Sequence, residues 1–365
     1  MNKAYKYRIY PNSEQEVFLA KTFGCTRFIY NKMLEDKIAY YKETNKMLKN
    51  TPAQYKNEFI WLKEVDSLAL SNAQLNLEKA YGNFFRDTKI GFPKFKSKKK
   101  NHSSYTTNNQ NGTIYIEKDS IKVPKLKSMI KIKQHREIPK ESIIKSATIS
   151  KTPTGKYYIS ITVEYEKEEV ERNIDINKAI GLDFSMKELI VTSEGIKANY
   201  PGFYRQAQKK LSKEQRKLSL CKDGSNNKNK QRLKVAIQHE KVKNQRQDFL
   251  HKLSRQITNE CDVVCIEDLN MKAMSQALNF GKSVADNSYG KFVGYMKYKL
   301  EEEGKRLITI DKWYPSSKTC SRCGKIKENL TLSDRIYACE CGYIEDRDIN
   351  ASINIKNEGL RVLLA

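Results

Sequence analysis

The segment TCSRCGKIKENLTLSDRIYACECGYIEDRDINASINI, residues 319–355, decides the reading of this 365-residue chain. It opens with Cys320-x-x-Cys323 and, after 15 intervening residues, continues with Cys339-x-Cys341. Gly324 and Gly342 follow the two pairs and suit tight knuckle turns. Four thiolates at this spacing can close a tetrahedral shell around zinc; a closed shell has no open position, so the metal reads as structural. Arg322 and Lys325 add positive charge that favours thiolates. The second pair is C-x-C, a departure from the usual C-x-x-C. The segment ends with Asp346 and Asp348 flanking Arg347, just before a run with helical spacing that we expect Gly359 to close.

Working outward, the flanking sequence alternates strand and helix. AIGLDF (179–184) and ELIVTS (188–193) read as adjacent apolar strands, DVVCIEDL (262–269) as a buried strand, residues 288–305 as a helix and RLITID (306–311) as a further strand. Cys261 and Cys265 read as core residues. Acids stand at the strand ends: Asp183 after AIGL, Glu267 and Asp268 after VVCI. A carboxylate leaving a buried strand is costly unless it is paired or binds a cation. Three such groups together make a hard-oxygen site for Mg²⁺. Two such ions a few ångströms apart can activate water and stabilise the leaving oxygen of a phosphodiester.

Residues 204–260 read as two long helices split near DGSNNKN (223–229). Residues 205–255 hold 16 basic and 4 acidic side chains, with Leu211, Leu218, Leu233, Ile237, Leu250 and Leu253 as an expected core stripe. Arg205, Lys209, Lys210, Arg216 and Arg232 are candidate phosphate contacts. The first hundred residues begin with a strand, KAYKYRIY (3–10), and are then mostly helical. Pro11 and Ser13 mark the first helix start, with Leu19, Phe23, Phe28, Ile29 and Met33 on its apolar face. A second helix is predicted over 66–86, with Leu68, Leu70, Leu75, Leu77 and Phe84 apolar. GFPKFKSKKK (91–100) interleaves Phe92 and Phe95 with cations, and Lys94, Lys96 and Lys98 are candidate nucleic-acid contacts. Period-two alternation over 112–165, with a hairpin around Pro153–Gly155, predicts a small β-barrel or sheet. An acidic stretch from Glu164 to Glu171 then marks the expected domain boundary.

Composition is consistent with this. The net charge is +25 and points to a polyanionic partner, most simply nucleic acid. A hydrophobic fraction of 39% with mean hydropathy −0.72 excludes a polytopic membrane protein, and 21 Tyr with 13 Phe are too many for a disordered chain. The N-terminus shows no apolar signal segment, no stretch reaches a membrane span, and the cysteines cluster, so a cytoplasmic protein without a membrane partner is expected.

With these residues in view, GLDFSMKELIVTSEG, CIEDLNMKAM, YPSSKTCSRCG and ACECGYIEDRDINASINI, in that order, resemble the transposon-encoded TnpB family, compact relatives of type V CRISPR effectors. KYRIYPNSEQEVFLAKTFGCTRFIYN and GFPKFKSKKK resemble the family's opening and its linker into the β-domain. The resemblance implies an α+β multidomain chain with an RNase H-like (RuvC) α/β nuclease domain carrying an inserted zinc ribbon. On that pattern residues 1–10 give the first strand of a β-barrel-like wedge domain, 11–100 a helical recognition domain and 101–172 the rest of the wedge. Residues 173–311 and 345–365 form the nuclease domain around a ribbon at 312–344. The family's three acids fall on Asp183, Glu267 and Asp348, with Asp346 as the alternative for the last, and would hold catalytic magnesium. Cys320, Cys323, Cys339 and Cys341 would hold the zinc. The implied activity is RNA-guided cleavage of double-stranded target DNA, with a guide RNA from the transposon end. A guide-directed binding repressor and a DNA-joining transposase are the rival readings. Ser104, Tyr105, Thr106 and Thr107 are candidates for reading a flanking motif.

Overall fold

In the computed structural model, which describes residues 2–99, 102–166, 173–277, 281–331 and 334–365, the alternating and helical segments of the first half build one unit and the strand–helix pattern of the second half another. The units are Met1–Glu168 and Glu169–Ala365. The acidic stretch expected at the boundary lies, from residue 167 to residue 171, outside the described residues, as does Lys100.

In the first unit, β1 (Asn2–Tyr10) joins β2 (Ser103–Asn108), β3 (Tyr115–Glu117), β4 (Ser120–Lys122), β5 (Ile130–Lys133), β6 (Ile143–Lys151) and β7 (Tyr157–Glu164) in one sheet of order β2-β6-β7-β1-β5-β4-β3. All its pairings are antiparallel, and the edge strands β2 and β3 are not bonded to each other, so it is barrel-like without closing. Along β7, Tyr157, Ile159, Ile161 and Val163 alternate into the core, as period-two burial requires. Helix α1 (Ser13–Thr44) starts on Asn12 rather than Ser13: the Asn12 side chain accepts from Gln15 N and the Gln15 side chain accepts from Asn12 N, both at 2.9 Å. This reciprocal pair satisfies two otherwise orphaned donors. Helix α2 (Ser67–Arg86) buries Ala69, Leu70, Ala73, Leu77 and Tyr81. Leu75, expected on that stripe, is exposed because it lies off the face turned to α1.

In the second unit, β8 (Ala179–Ser185), β9 (Leu189–Thr192), β10 (Val263–Glu267) and β11 (Arg306–Ile310) form a sheet of order β11-β10-β8-β9. β8, β10 and β11 run parallel, and β9 returns antiparallel beside β8. Helices α3 (Phe203–Ser219) and α4 (Asn226–Glu260) form a long hairpin, and α4 packs with α5 (Tyr289–Glu302). Ile180, Leu182, Val264 and Ile266 face the α4/α5 core with Leu250, Ile257, Phe292 and Met296. Ala179, Val263 and Cys265 face the other way, toward Ile355 of α6 (Arg347–Leu364). The expected core stripe of the hairpin holds at Leu211 and Leu250, but Leu233 and Ile237 are exposed, because α4 turns Gln231, Val235 and Val242 inward there instead. Between β11 and α6, β12 (Ile336–Ala338) and β13 (Ile344–Asp346) make a separate antiparallel pair. No helix among the described residues is long and apolar enough to cross a membrane.

Helix α6 runs through Gly359, which was expected to end it. That glycine is a packing residue: a Cβ there would lie 2.7 Å from Cys265 Cβ and closer still to Sγ. Gly181 of β8 plays the same part, since its Cβ would lie 2.7 Å from Lys356 N and closer to the Ser352 carbonyl. Backbone atoms cannot yield as a flexible side-chain end can. Gly181→Ala is therefore expected to destabilise the protein by about 1–3 kcal/mol or more. Gly294→Ala, in a helix with nothing within 4 Å, is expected to stabilise it by up to about 1 kcal/mol. Denaturant titration of both variants checks the contrast.

Candidate active site and metal centre

Register places the first two acids. Cys265 pairs with Gly181 and Ile266 with Leu182, so the next step along both parallel strands brings Glu267 beside Asp183 at their carboxyl ends. Strand alternation puts Ala179, Gly181 and Asp183 on one face, with Val263, Cys265 and Glu267 beside them. This is the face that receives α6. Asp268, one residue on, is exposed.

The third acid arrives with the helix start. Asp346 is the N-cap of α6: its Oδ1 accepts from Asp348 N (2.9 Å) and Ile349 N (3.4 Å), and its Oδ2 pairs with Lys197 at 2.9 Å. Both oxygens are thus engaged, and the cap and ion pair pull its pKa below the ordinary range although burial opposes them. Asp348, in the first turn, instead contributes charge at Asp183. Asp183 is largely surrounded by protein but keeps an opening to solvent. Burial first, then the charges of Glu267 and Asp348, hold its pKa well above the ordinary range against the pull of Arg347. Burial also raises Glu267, while a hydrogen bond donated by Ser316 Oγ to its Oε1 acts the other way.

These carboxylates suit a hydrated divalent cation. Hard oxygen donors crowded together, as Glu267 and Asp348 are around the buried Asp183, gain most when a cation neutralises them. An orphaned group points the same way: Tyr289 Oη is buried without a hydrogen-bond partner among the described residues, and Asp183 and Glu267 both act on it electrostatically. A buried hydroxyl is rarely left unpaired, and ordered water around a cation would satisfy it.

The four cysteines converge. Cys320 Sγ lies 3.7 Å from Cys341 Sγ, Cys323 Sγ 3.7 Å from Cys339 Sγ, and all four sulfurs fall within 4.8 Å of one another. Tetrahedral thiolates around zinc, at Zn–S of roughly 2.3 Å, sit about 3.8 Å apart, so the set fits zinc and the C-x-C spacing is no obstacle. Each knuckle is closed by a glycine with positive φ, Gly324 at 75° and Gly342 at 85°. Lys325, expected to favour thiolates, is first paired with Glu340, although Cys339 and Cys323 also feel its charge.

Several residues of the site carry no signal of spacing or periodicity. Asn350 and Asn354, both buried on α6, hold the loop into the ribbon: Asn350 accepts from Ser321 N (3.0 Å) and donates to Thr319 O (2.8 Å), and Asn354 donates to Ser316 O (2.8 Å) and Thr319 O (2.6 Å). Arg347 lies 3.6 Å from Asp348. Asp286, buried in a short helix (Gly281–Asn287), accepts from Tyr204 N (3.0 Å) and Arg205 N (3.4 Å) and so caps α3. Such a carboxylate complements the positive end of the helix dipole.

The basic candidates divide. Arg205, Lys209, Lys210, Arg216 and Arg232 are exposed. Arg205, Lys209, Lys213, Arg216 and Lys217 share one groove-forming face of α3. Lys94 and Lys98 are exposed, but Lys96 is half-buried, its ammonium 3.8 Å from the centre of the Tyr30 ring and its backbone clamped by Asn31. Of the four candidate flank readers, Tyr105 and Thr107 point into the core, as alternation along β2 requires. Ser104 and Thr106 instead line a cavity of about 270 Å³ with Arg27, Asn72 and Asn76.

A family described as "Probable transposase" matches residues 160–278, a "Cas12f1-like, TNB domain" family matches residues 289–355, and a "Helix-turn-helix domain" family matches residues 1–46. A "Putative RNA-guided DNA endonuclease" of Streptomyces pristinaespiralis is 33% identical over 372 residues, covering 99% of this chain and 90% of that protein. The chain belongs to the TnpB family. A second relative in the TnpB comparison, the "Putative RNA-guided DNA endonuclease InsQ" of Escherichia coli K12, is 28% identical over 99% of this chain and 93% of its own length. The fold matches that of Cas12f1 in a Cas12f1–sgRNA–target DNA complex, with a TM-score of 0.63 at 14% identity, covering 98% of this chain and 99% of that one. The described part of this stretch of the TnpB chain, despite the description of the family it matches, holds β1 from Asn2 and one long uninterrupted helix, α1, as far as Thr44.

Proposed function

We propose that this TnpB protein is a transposon-associated, magnesium-dependent, RNA-guided DNA endonuclease, acting in the cytoplasm on double-stranded target DNA with a guide RNA from the transposon end. The observation that carries the reading is the coupling of Asp183, Glu267 and Asp348 at one end of the sheet. These three would hold the magnesium, and bound magnesium would supply a nucleophilic water at neutral pH and stabilise charge on the scissile phosphate. Ser316 orients Glu267 by hydrogen bonding one of its oxygens. Asp346, as cap, fixes the first turn of α6 and so the direction of Asp348. Arg347, 3.6 Å from Asp348, would bring positive charge to a phosphate held at that carboxylate.

The cationic face of α3, with Lys210 and Arg232 nearby in sequence and Lys94 and Lys98 in the first unit, would contact nucleic-acid phosphates. The polar cavity of Ser104, Thr106, Asn72 and Asn76 offers hydrogen-bond donors and acceptors for base edges of the flanking duplex. The intact set of acids favours cleavage over a binding-only repressor. The domain assignment follows the same reading, with residues 1–10 and 101–172 as wedge, 11–100 as recognition domain, 173–311 and 345–365 as nuclease and 312–344 as ribbon.

The test is to sequence RNA that co-purifies with the protein and to supply that complex with matched plasmid and Mg²⁺. RNA mapping to the end of the protein's own locus, with guided cleavage, is the expected result. Strand-transfer products without RNA would instead support a transposase.

A further inference from the structure

The loop leaving β11 starts where Ile310 pairs with Glu267 and is pinned on both sides of one residue. Asp311 Oδ1 accepts from Trp313 N (2.7 Å), and the Asp311 carbonyl accepts from Tyr314 N (3.1 Å). Tyr314 packs into the apolar cluster under α6. Ser316 is held through its carbonyl by Asn354 and through its hydroxyl by Glu267. Trp313 itself, between these anchors, is 81% exposed, with Lys312 Nζ 5.1 Å from its ring centre.

An indole displayed by an anchored turn adds little to the folded protein, since its apolar surface stays in water. Its placement makes chemical sense for a ligand with an aromatic face and a nearby negative charge. A nucleobase with its phosphate is that ligand: bases stack on aromatic side chains whatever their sequence, and lysine beside the ring meets the backbone. We infer that Trp313, with Lys312, is a stacking platform for an unpaired base of a single DNA strand led to Asp183, Glu267 and Asp348. A base in a duplex has both faces covered by its neighbours, so the platform selects a strand already opened. This inference rests on the nuclease reading for the strand's purpose but not for its binding.

The chain has 2 tryptophans, Trp61 and Trp313. Trp61 packs edge-on against Phe28 and Phe59, so Trp61→Phe keeps that cluster aromatic and leaves Trp313 as sole reporter. The full-length chain carrying Trp61→Phe and Asp183→Asn is titrated with single-stranded oligodeoxythymidine and with a duplex of equal length. Quenching of indole emission by the single strand and not by the duplex is expected. Trp313→Ala should weaken single-strand binding about 5- to 100-fold, Trp313→Phe should retain most of it, and neither should move the melting temperature. No quenching, with equal affinity for wild type and Trp313→Ala, overturns the platform even if wild type cuts guided targets. Quenching in the titrated chain, together with no guided cleavage by the Trp61→Phe chain that retains Asp183, supports the platform and overturns the nuclease reading alone.

Discussion

Asp183→Asn is expected to abolish guided cleavage and at the same time to raise the melting temperature of the magnesium-free protein. Both effects have one origin. The carboxyl of Asp183 is surrounded by protein and faces the charges of Glu267 and Asp348, so its native pKa lies well above the ordinary range. The native state then keeps a proton that the unfolded chain has released. Stability of the magnesium-free protein must therefore fall as pH rises from about 4, the ordinary Asp value, toward the raised native one. An amide of the same shape removes that slope. It also removes a charged ligand, and its loss should exceed the roughly 10- to 100-fold typical of an outer-shell partner. Melting curves at pH 5 and pH 8 on zinc-loaded, magnesium-free protein, with plasmid cleavage in parallel, check the pair of effects. A variant that cuts like wild type, or that melts lower at pH 8, contradicts the assignment of Asp183.

The second large effect concerns the ribbon. Cys339→Ser is expected to abolish zinc retention and most cleavage together, even in excess Mg²⁺. Structural zinc sites of this kind bind with roughly 10–16 kcal/mol, comparable with or larger than the roughly 5–15 kcal/mol that stabilises a whole domain. The ribbon is not an independent ornament. Its first knuckle is tied to α6 by Asn350 and Asn354, and β13 ends on Asp346, which caps the turn holding Asp348. Loss of the zinc should thus be felt at a carboxylate that touches none of the cysteines. Metal analysis of the purified chain and cleavage by a zinc-stripped sample check this; full cutting by zinc-free protein would sink it.

Much of this arrangement could be read from the residues. Apolar runs ending in acids are legible because a buried carboxylate needs a reason, and paired cysteines are legible because zinc geometry limits their spacing. Asp346 and Asp348 look alike in the string DRD, and only the fold distinguishes them, because Asp346 is engaged by the cap and by Lys197. Gly359 misled because a glycine near a helix end reads as a stop, whereas its purpose is to admit Cys265 from another strand. Ser316, Tyr289, Asn350 and Asn354 act through contacts set by tertiary packing, which leaves no periodic trace. Leu233 and Ile237 showed the converse: helical spacing alone does not say whether anything covers the stripe.

The close seating of α6 on β8 at Gly181 and on β10 through Gly359 has a consequence for synthesis. Two of the three carboxylates are translated long before the third, and the third reaches its place only once the helix carrying it has left the ribosome and docked. Until then a nascent chain holds a cationic surface and an incomplete set of acids. A ribosome that stops anywhere before codon 348 releases a product without Asp348, which on the proposed reading would be an unarmed chain.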